Sequence, residues 1–194
     1  MLSQVRTVVI QLVESVLSVA GIRVGTEEAI YTSRPLVDGV EIRRYGPRIA
    51  ADTTVAANEE AARSAGFRRL AGYIFGRNHQ DRRINMTAPV AQSSVGKQGW
   101  TIRFYMPAKW TMDSLPTPDD ERVRIVTQPA ETVAVLRFTG DRSPEAVAAR
   151  SRQLLDTLRD NGIKPAGEPM TWFYDPPWTV SFRRRNEIAI PVDD

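Results

Sequence analysis

The feature that most limits how this chain can fold is its internal self-similarity. The segment IRRYGPRIAADTTV (Ile42 to Val55) can be laid over IVTQPAETVAVLRF (Ile125 to Phe138), each reading as a strand, a Pro-containing turn and a second strand. A helical pattern follows in both places. INMTAPV (84 to 90) then falls opposite EPMTWFY (168 to 174), so that Met-Thr occurs at 86–87 and again at 170–171. Further on, WTIRF (Trp100 to Phe104) is answered by WTVSF (Trp178 to Phe182). A unit of about eighty residues is too small to bury one face of a sheet comfortably by itself. Two strand-strand-helix-strand-strand units packed about a pseudo-twofold axis solve that problem. The expected fold is therefore α+β: a distorted β-barrel or concave mixed sheet with two flanking helices. Repeat one covers about 31–107, repeat two about 119–192, and Pro107 to Pro118 connects them.

Local chemistry agrees with this plan. Asp38-Gly39 marks a turn between two strands, and Gly46-Pro47 breaks the second of them from the next. In NEEAARSAGFRRLAGYIFG, Asn58 is placed to cap a helix, two acids sit in its first turn and Gly76 follows its end. In SPEAVAARSRQLLDTLRDNG, Ser143 is the cap, Pro144 takes the first helical position and Gly162 closes the segment. Val147, Leu154, Leu155 and Leu158 form its apolar stripe.

Composition restricts the chemistry. With no Cys and one His in 194 residues, thiolate sites, disulfides and multi-imidazole metal cages are excluded, and catalysis would have to use carboxylates, Tyr, Arg or Lys. The 26 basic residues face 23 acidic ones spread along the chain, so the net +3 describes a solvated surface and no nucleic-acid partner.

Residues 1–25 read as an amphipathic helix outside the main domain, which spans 26–194. Val5, Val8, Val9, Leu12, Val13, Val16 and Leu17 repeat at helical spacing, while Gln11, Glu14, Ser15 and Ser18 make a polar face. Glu14 is costly at a bilayer centre, and no small-residue cleavage site follows. The expectation is a cytoplasmic protein whose first helix packs on the domain, associates with another copy or makes a peripheral membrane contact.

From Tyr31 to Pro191 the chain resembles the SOUL haem-binding proteins. The resemblance rests on EIRRY (41 to 45), INMTAPV (84 to 90), YDPPW (174 to 178) and RRNEIAI (184 to 190). It implies a pseudo-symmetric barrel of two repeats and tetrapyrrole binding, haem being the cofactor. The porphyrin then lies in an apolar groove beside the first domain helix with a basic residue near its propionates, and some members need no histidine ligand. The same two-repeat design also serves bacterial effector-binding modules and hydrolases of small strained rings, so these remain alternatives.

Arg63, Phe67, Leu70 and Ile74 share a line on the first domain helix. In the light of the resemblance they are a propionate clamp and a groove wall; the competing reading is an ion pair of Arg63 with Glu59 and a stripe buried on the sheet. His79, in the loop RNHQD, is the one conventional haem ligand and the candidate metal-binding residue. Met86 is a further cofactor-binding candidate, and Tyr73 a weaker one. Asp175 and Glu187 are expected to pair with Arg184 or Arg185. A hydrolase would draw on Glu168, Tyr174, Trp178 and Glu187. Binding or carrying, without turnover, is the main expectation.

Overall fold

The structure, a computed structural model, describes residues 26–176 and 178–193. The expected N-terminal amphipathic helix, residues 1–25, lies outside the described residues.

The chain enters through β1 (Glu27–Glu28) and the hairpin β2 (Tyr31–Pro35) and β3 (Val40–Tyr45). Asp38 and Gly39 both have positive φ, 51° and 75°, and Val40 N–H donates to Val37 O at 2.8 Å. Two left-handed central residues give the turn a twist that matches the flanking strands, which is why Asp-Gly occupies it. Then come β4 (Arg48–Val55), α1 (Glu59–Ile74), β5 (Thr87–Ala88), β6 (Val90–Ser94) and β7 (Trp100–Tyr105). The second half supplies β8 (Arg124–Gln128), β9 (Glu131–Phe138), α2 (Pro144–Asp160), β10 (Met170–Phe173) and β11 (Asn186–Pro191). Asn58 Oδ1 accepts from Ala61 N–H and Ser143 Oγ from Ala146 N–H, so both helices begin where their caps predict.

Nine strands make one antiparallel sheet, curled into a half-barrel, in the order β2-β3-β9-β11-β10-β6-β7-β4-β8. From β3 inward the order is the first strand of half one, then the second, fourth and third of half two. From β8 inward the same order holds with the halves exchanged. Each half thus lends its first strand to the other, and β10 and β6 meet at the centre.

The strand registers correct two of the sequence matches. Ala50 and Val133 are overlaid in the expected alignment, and they pair with Tyr105 and Pro191 respectively. Two residues back along those partner strands, Arg103 pairs with Ala91 and Ala189 with Met170. Ala91-Gln92, not Met86-Thr87, therefore occupies the place of Met170-Thr171. Likewise Trp100–Tyr105 corresponds to Asn186–Pro191, whereas Trp178 to Phe182 is a loop ending in a single 3-10 turn. The W-T-aliphatic-x-F likeness does not align equivalent strands.

Both helices lie on one face of the sheet. Under α1, Leu70, Tyr73 and Ile74 pack with Ala51, Ile102 and Phe104; under α2, Val147, Leu154 and Leu158 pack with Val40, Ile42, Leu136, Ile188 and Ile190. Each fully buried aliphatic side chain there contributes about 1.5–3 kcal/mol. Gly66 lets α1 approach β7: a Cβ at that position would lie 2.8 Å from Ile102 Cβ. The other face of the sheet carries Tyr45, Tyr105, Trp172 and Tyr174 with Val133 and Val135.

Candidate functional site

The helix starts converge over the two central strands. Gln92, on β6, donates from Nε2 to Glu59 O at 2.8 Å, which ties the first turn of α1 to the sheet. Arg142, just before α2, has Nη1 3.4 Å from Asp175 O, just after β10. Between them lies Phe173 at the end of β10. The Arg63 guanidinium stands 4.6 Å from its ring centroid and that of Arg142 5.6 Å from it, two cations over one aromatic ring.

The electrostatics of this place are unsettled by design of the neighbours. Burial lowers the pKa of Arg63, with Glu59 and Glu60 opposing, and burial followed by Arg184 and Arg63 pushes Arg142 down to about 10. Burial also raises Glu59, whose carboxyl feels Arg63, Glu60 and Glu145. The expected Glu59–Arg63 pair is not made as a hydrogen bond; Arg63 Nη2 is instead 3.8 Å from Glu60 Oε1. Arg63 Nη1 is buried and has no hydrogen-bond partner among the described residues. A buried donor without an acceptor costs about 1–3 kcal/mol, a cost that an arriving carboxylate removes.

The other candidates spread along α1. Phe67, 37% exposed, sits one turn beyond Arg63 and meets Phe104 edge-on at 5.3 Å. Leu70 and Ile74 are wholly buried against the sheet. Met86 is half-buried against the same cluster. His79 lies past the far end of the helix, whose last residue, Ile74, is about 16 Å along the axis from Arg63. Its side chain is 66% exposed, with Nε2 3.9 Å from Asp119 Oδ1. Beside it opens a cavity of about 530 Å³ walled by Arg69, Tyr73, Arg77, Asp119 and Asp120, and therefore charged. The structure brings Arg63 and Phe67 together on one edge of α1 and places His79 beyond its far end. Among the described residues no cluster of three or more His, Asp or Glu could hold a metal ion.

The face opposite the helices holds a buried ion network centred on Glu187, of which sequence reasoning missed Arg43. Glu187 is wholly buried and receives four donors. Arg43 Nη1 and Nη2 lie 2.7 and 3.0 Å from its two oxygens, Arg185 Nε 2.8 Å and Tyr174 Oη 2.8 Å. Burial alone would raise the Glu187 pKa, but Arg43 and Arg185 outweigh it and hold the carboxyl below its ordinary value. Arg185 also reaches Glu28 at 3.0 Å, which anchors β1 across this face, and Asp175 Oδ2 accepts Arg185 N–H at 2.6 Å. The expected pairing of Glu187 with Arg185 is present. Arg43 also donates from Nε to Glu41 Oε1 at 2.8 Å, two residues back on its own strand, but its pairing with Glu187 had no local signal, because that partner is 144 residues away and becomes a neighbour only through strand order. Of the hydrolase set, Tyr174 and Glu187 meet, whereas Trp178 and Glu168 are exposed.

Residues 26–191 match the family model described as SOUL heme-binding protein. The chain belongs to the SOUL haem-binding family. It is 31% identical over 164 residues to heme-binding protein 2 of Mus musculus, which covers 79% of this chain and 78% of that protein. As a fold, it is similar to the EcmrR C-terminal domain, with a TM-score of 0.60 at 13% identity over 85% of this chain and 99% of that one. It is also similar to a hydrolase from Listeria innocua, with a TM-score of 0.53 at 10% identity over 78% and 91%. Haem binding is thus supported at the level of the family. No helix among the described residues is long and apolar enough to cross a membrane.

Proposed function

We propose that the chain binds haem or a related tetrapyrrole beside α1, as a carrier or buffer, with the ligand's carboxylates directed to Arg63 and Arg142 over Phe173. The observation that carries this reading is the buried Arg63 Nη1 without an acceptor, held over the Phe173 ring in a member of a haem-binding family. Phe67 on the same helix edge offers apolar surface to the macrocycle, and Leu70 and Ile74 set the height of the helix on the sheet. Haem, when bound, would supply an iron centre. His79 and Met86 are the side chains proposed to offer that iron a donor from the far end of α1.

A hydrolase reading finds less support. With four donors on Glu187, every lone-pair direction of the carboxylate is occupied, and no acceptor capacity is left for a substrate proton.

Hemin titration followed by absorbance tests the proposal. A saturable Soret shift is expected at micromolar protein, weakened about tenfold in Arg63→Ala, the loss of one charge-assisted contact. Absence of a saturable shift sinks it. A shift unchanged in His79→Ala removes the axial role alone.

A further inference from the structure

Trp178, Val180 and Phe182 crowd three exposed apolar side chains into five residues of the loop between β10 and β11. Trp178 is 62% exposed and Phe182 72%. The other large exposed apolar residues among those described, Ile30, Val37, Phe67, Phe75, Val95 and Met112, stand apart from one another along the sequence. Single exposed apolar residues are ordinary; a cluster marks an interaction site.

The loop is built to hold this presentation. Thr179 is wholly buried between the outward residues, its N–H donating to Pro176 O at 3.1 Å and its carbonyl accepting from Arg184 Nε at 2.7 Å. Arg183 N–H donates to Val180 O, and Gly140 N–H to Ser181 O, both at 3.0 Å. These bonds fix the backbone on either side of Trp178 and Phe182, whose side chains remain largely exposed.

Cationic groups surround the base of the loop. Arg183 is exposed beside Phe182, Arg184 follows, and Arg142 lies within electrostatic range of Arg184. Asp141, which accepts from Ser143 N–H and Oγ, also feels the charge of Arg184, and Asp175 Oδ2 accepts from Arg185 N–H. We propose that this loop docks the protein on an anionic lipid surface, with Trp178 and Phe182 entering the headgroup boundary and Arg183 and Arg184 meeting lipid phosphates.

A protein partner fits this shape less well. Stable protein interfaces bury about 800 Å² per side around an apolar centre, whereas three side chains on a narrow loop make a tip. A Trp/Phe tip with arginines at its base matches the interfacial preference of aromatic rings and the attraction of basic side chains to anionic headgroups. This docking is independent of the tetrapyrrole reading and would stand if haem did not bind.

The test uses the full chain with vesicles of phosphatidylcholine, alone or with phosphatidylserine. Co-sedimentation should favour the anionic vesicles by about tenfold or more and weaken by a similar factor in Arg183→Gln/Arg184→Gln, as expected for two basic residues at a charged surface. Trp178→Ser/Phe182→Ser should abolish binding while leaving the near-ultraviolet circular dichroism of the buried aromatic residues in place. Because none of the four tryptophans lies in residues 1–25, brominated lipid reports on the loop separately. It should quench wild-type fluorescence and lose that effect in Trp178→Phe. Vesicle binding that survives the double Ser substitution, absent quenching, no binding at all, or self-association abolished by the same substitutions would each overturn the proposal.

Discussion

Arg43 and Glu187 form a two-pronged ion pair across 144 residues of sequence, Nη1 to Oε2 at 2.7 Å and Nη2 to Oε1 at 3.0 Å, on the same face of the sheet, from β3 and β11 with β9 between them. Both side chains are almost wholly removed from water. Removing one member of such a pair strands a buried charge, at about 3–5 kcal/mol. Glu187→Ala removes the carboxylate that Arg43 and Arg185 share, leaving Arg43 with Glu41 and Arg185 with Glu28, and is expected to fall within that range. Arg43→Ala leaves Glu187 with Arg185 and Tyr174 and should cost less. Urea unfolding midpoints of the two variants against wild type check the order.

The same carboxyl makes stability depend on acid. Glu187 is held below its ordinary value of 4.5 in the folded state. Its contribution is therefore complete above that value and lost as pH falls through the lower folded-state value. Wild type should exceed Glu187→Gln by a constant margin near neutrality, and the margin should shrink as pH drops from about 5 to about 3. Unfolding curves across that interval measure it; a margin that stays constant or grows in acid contradicts the assignment.

Two glycines of α1 separate packing from propensity. At Gly66 an added methyl collides with the wholly buried Ile102, so Gly66→Ala should destabilise by about 1–3 kcal/mol despite the better helix former. At Gly72 the nearest neighbour is Arg77 Cδ at 3.2 Å, part of a long side chain able to move. Gly72→Ala should be neutral or stabilising by up to about 1 kcal/mol. Thermal melts of both variants distinguish these outcomes.

The contrast between local and distant information explains what the sequence could disclose. The Asp38-Gly39 hairpin, the Asn58 and Ser143 caps and the apolar stripe of α2 were legible because each depends on neighbours within a few residues. Ile42–Val55 and Ile125–Phe138 each fold as strand, turn and strand, as their Pro-containing turns suggested. The WTIRF and WTVSF match misled because a strand and a loop can share Trp, Thr and Phe for different reasons: Phe104 is buried in the core while Phe182 projects into water. On α1, helical spacing placed Arg63, Phe67, Leu70 and Ile74 on one line but not the depth of each. The sheet buries Leu70 and Ile74 and leaves Phe67 at the rim. The approach of Arg142 to Phe173 had no sequence signal, since it requires both helix starts to converge over the β10 and β6 seam.

That convergence supports a prediction about which part of the ligand the site reads. If Arg63 and Arg142 receive ligand carboxylates, hemin should bind more tightly than its dimethyl ester, which keeps the ring and the iron but removes both negative charges. Two charge-assisted contacts of about 1.5–3 kcal/mol each set the preference at roughly a hundredfold to ten-thousandfold. Arg142→Gln should reduce the preference, and Arg63→Gln/Arg142→Gln should bring the two ligands close to equal affinity while retaining binding of the ester. Phe67→Ala should weaken both ligands alike, because it removes apolar surface that does not distinguish acid from ester. Equal affinity of wild type for both ligands would show that the arginines do not read the carboxylates. Failure of both ligands to bind would instead remove the tetrapyrrole reading itself.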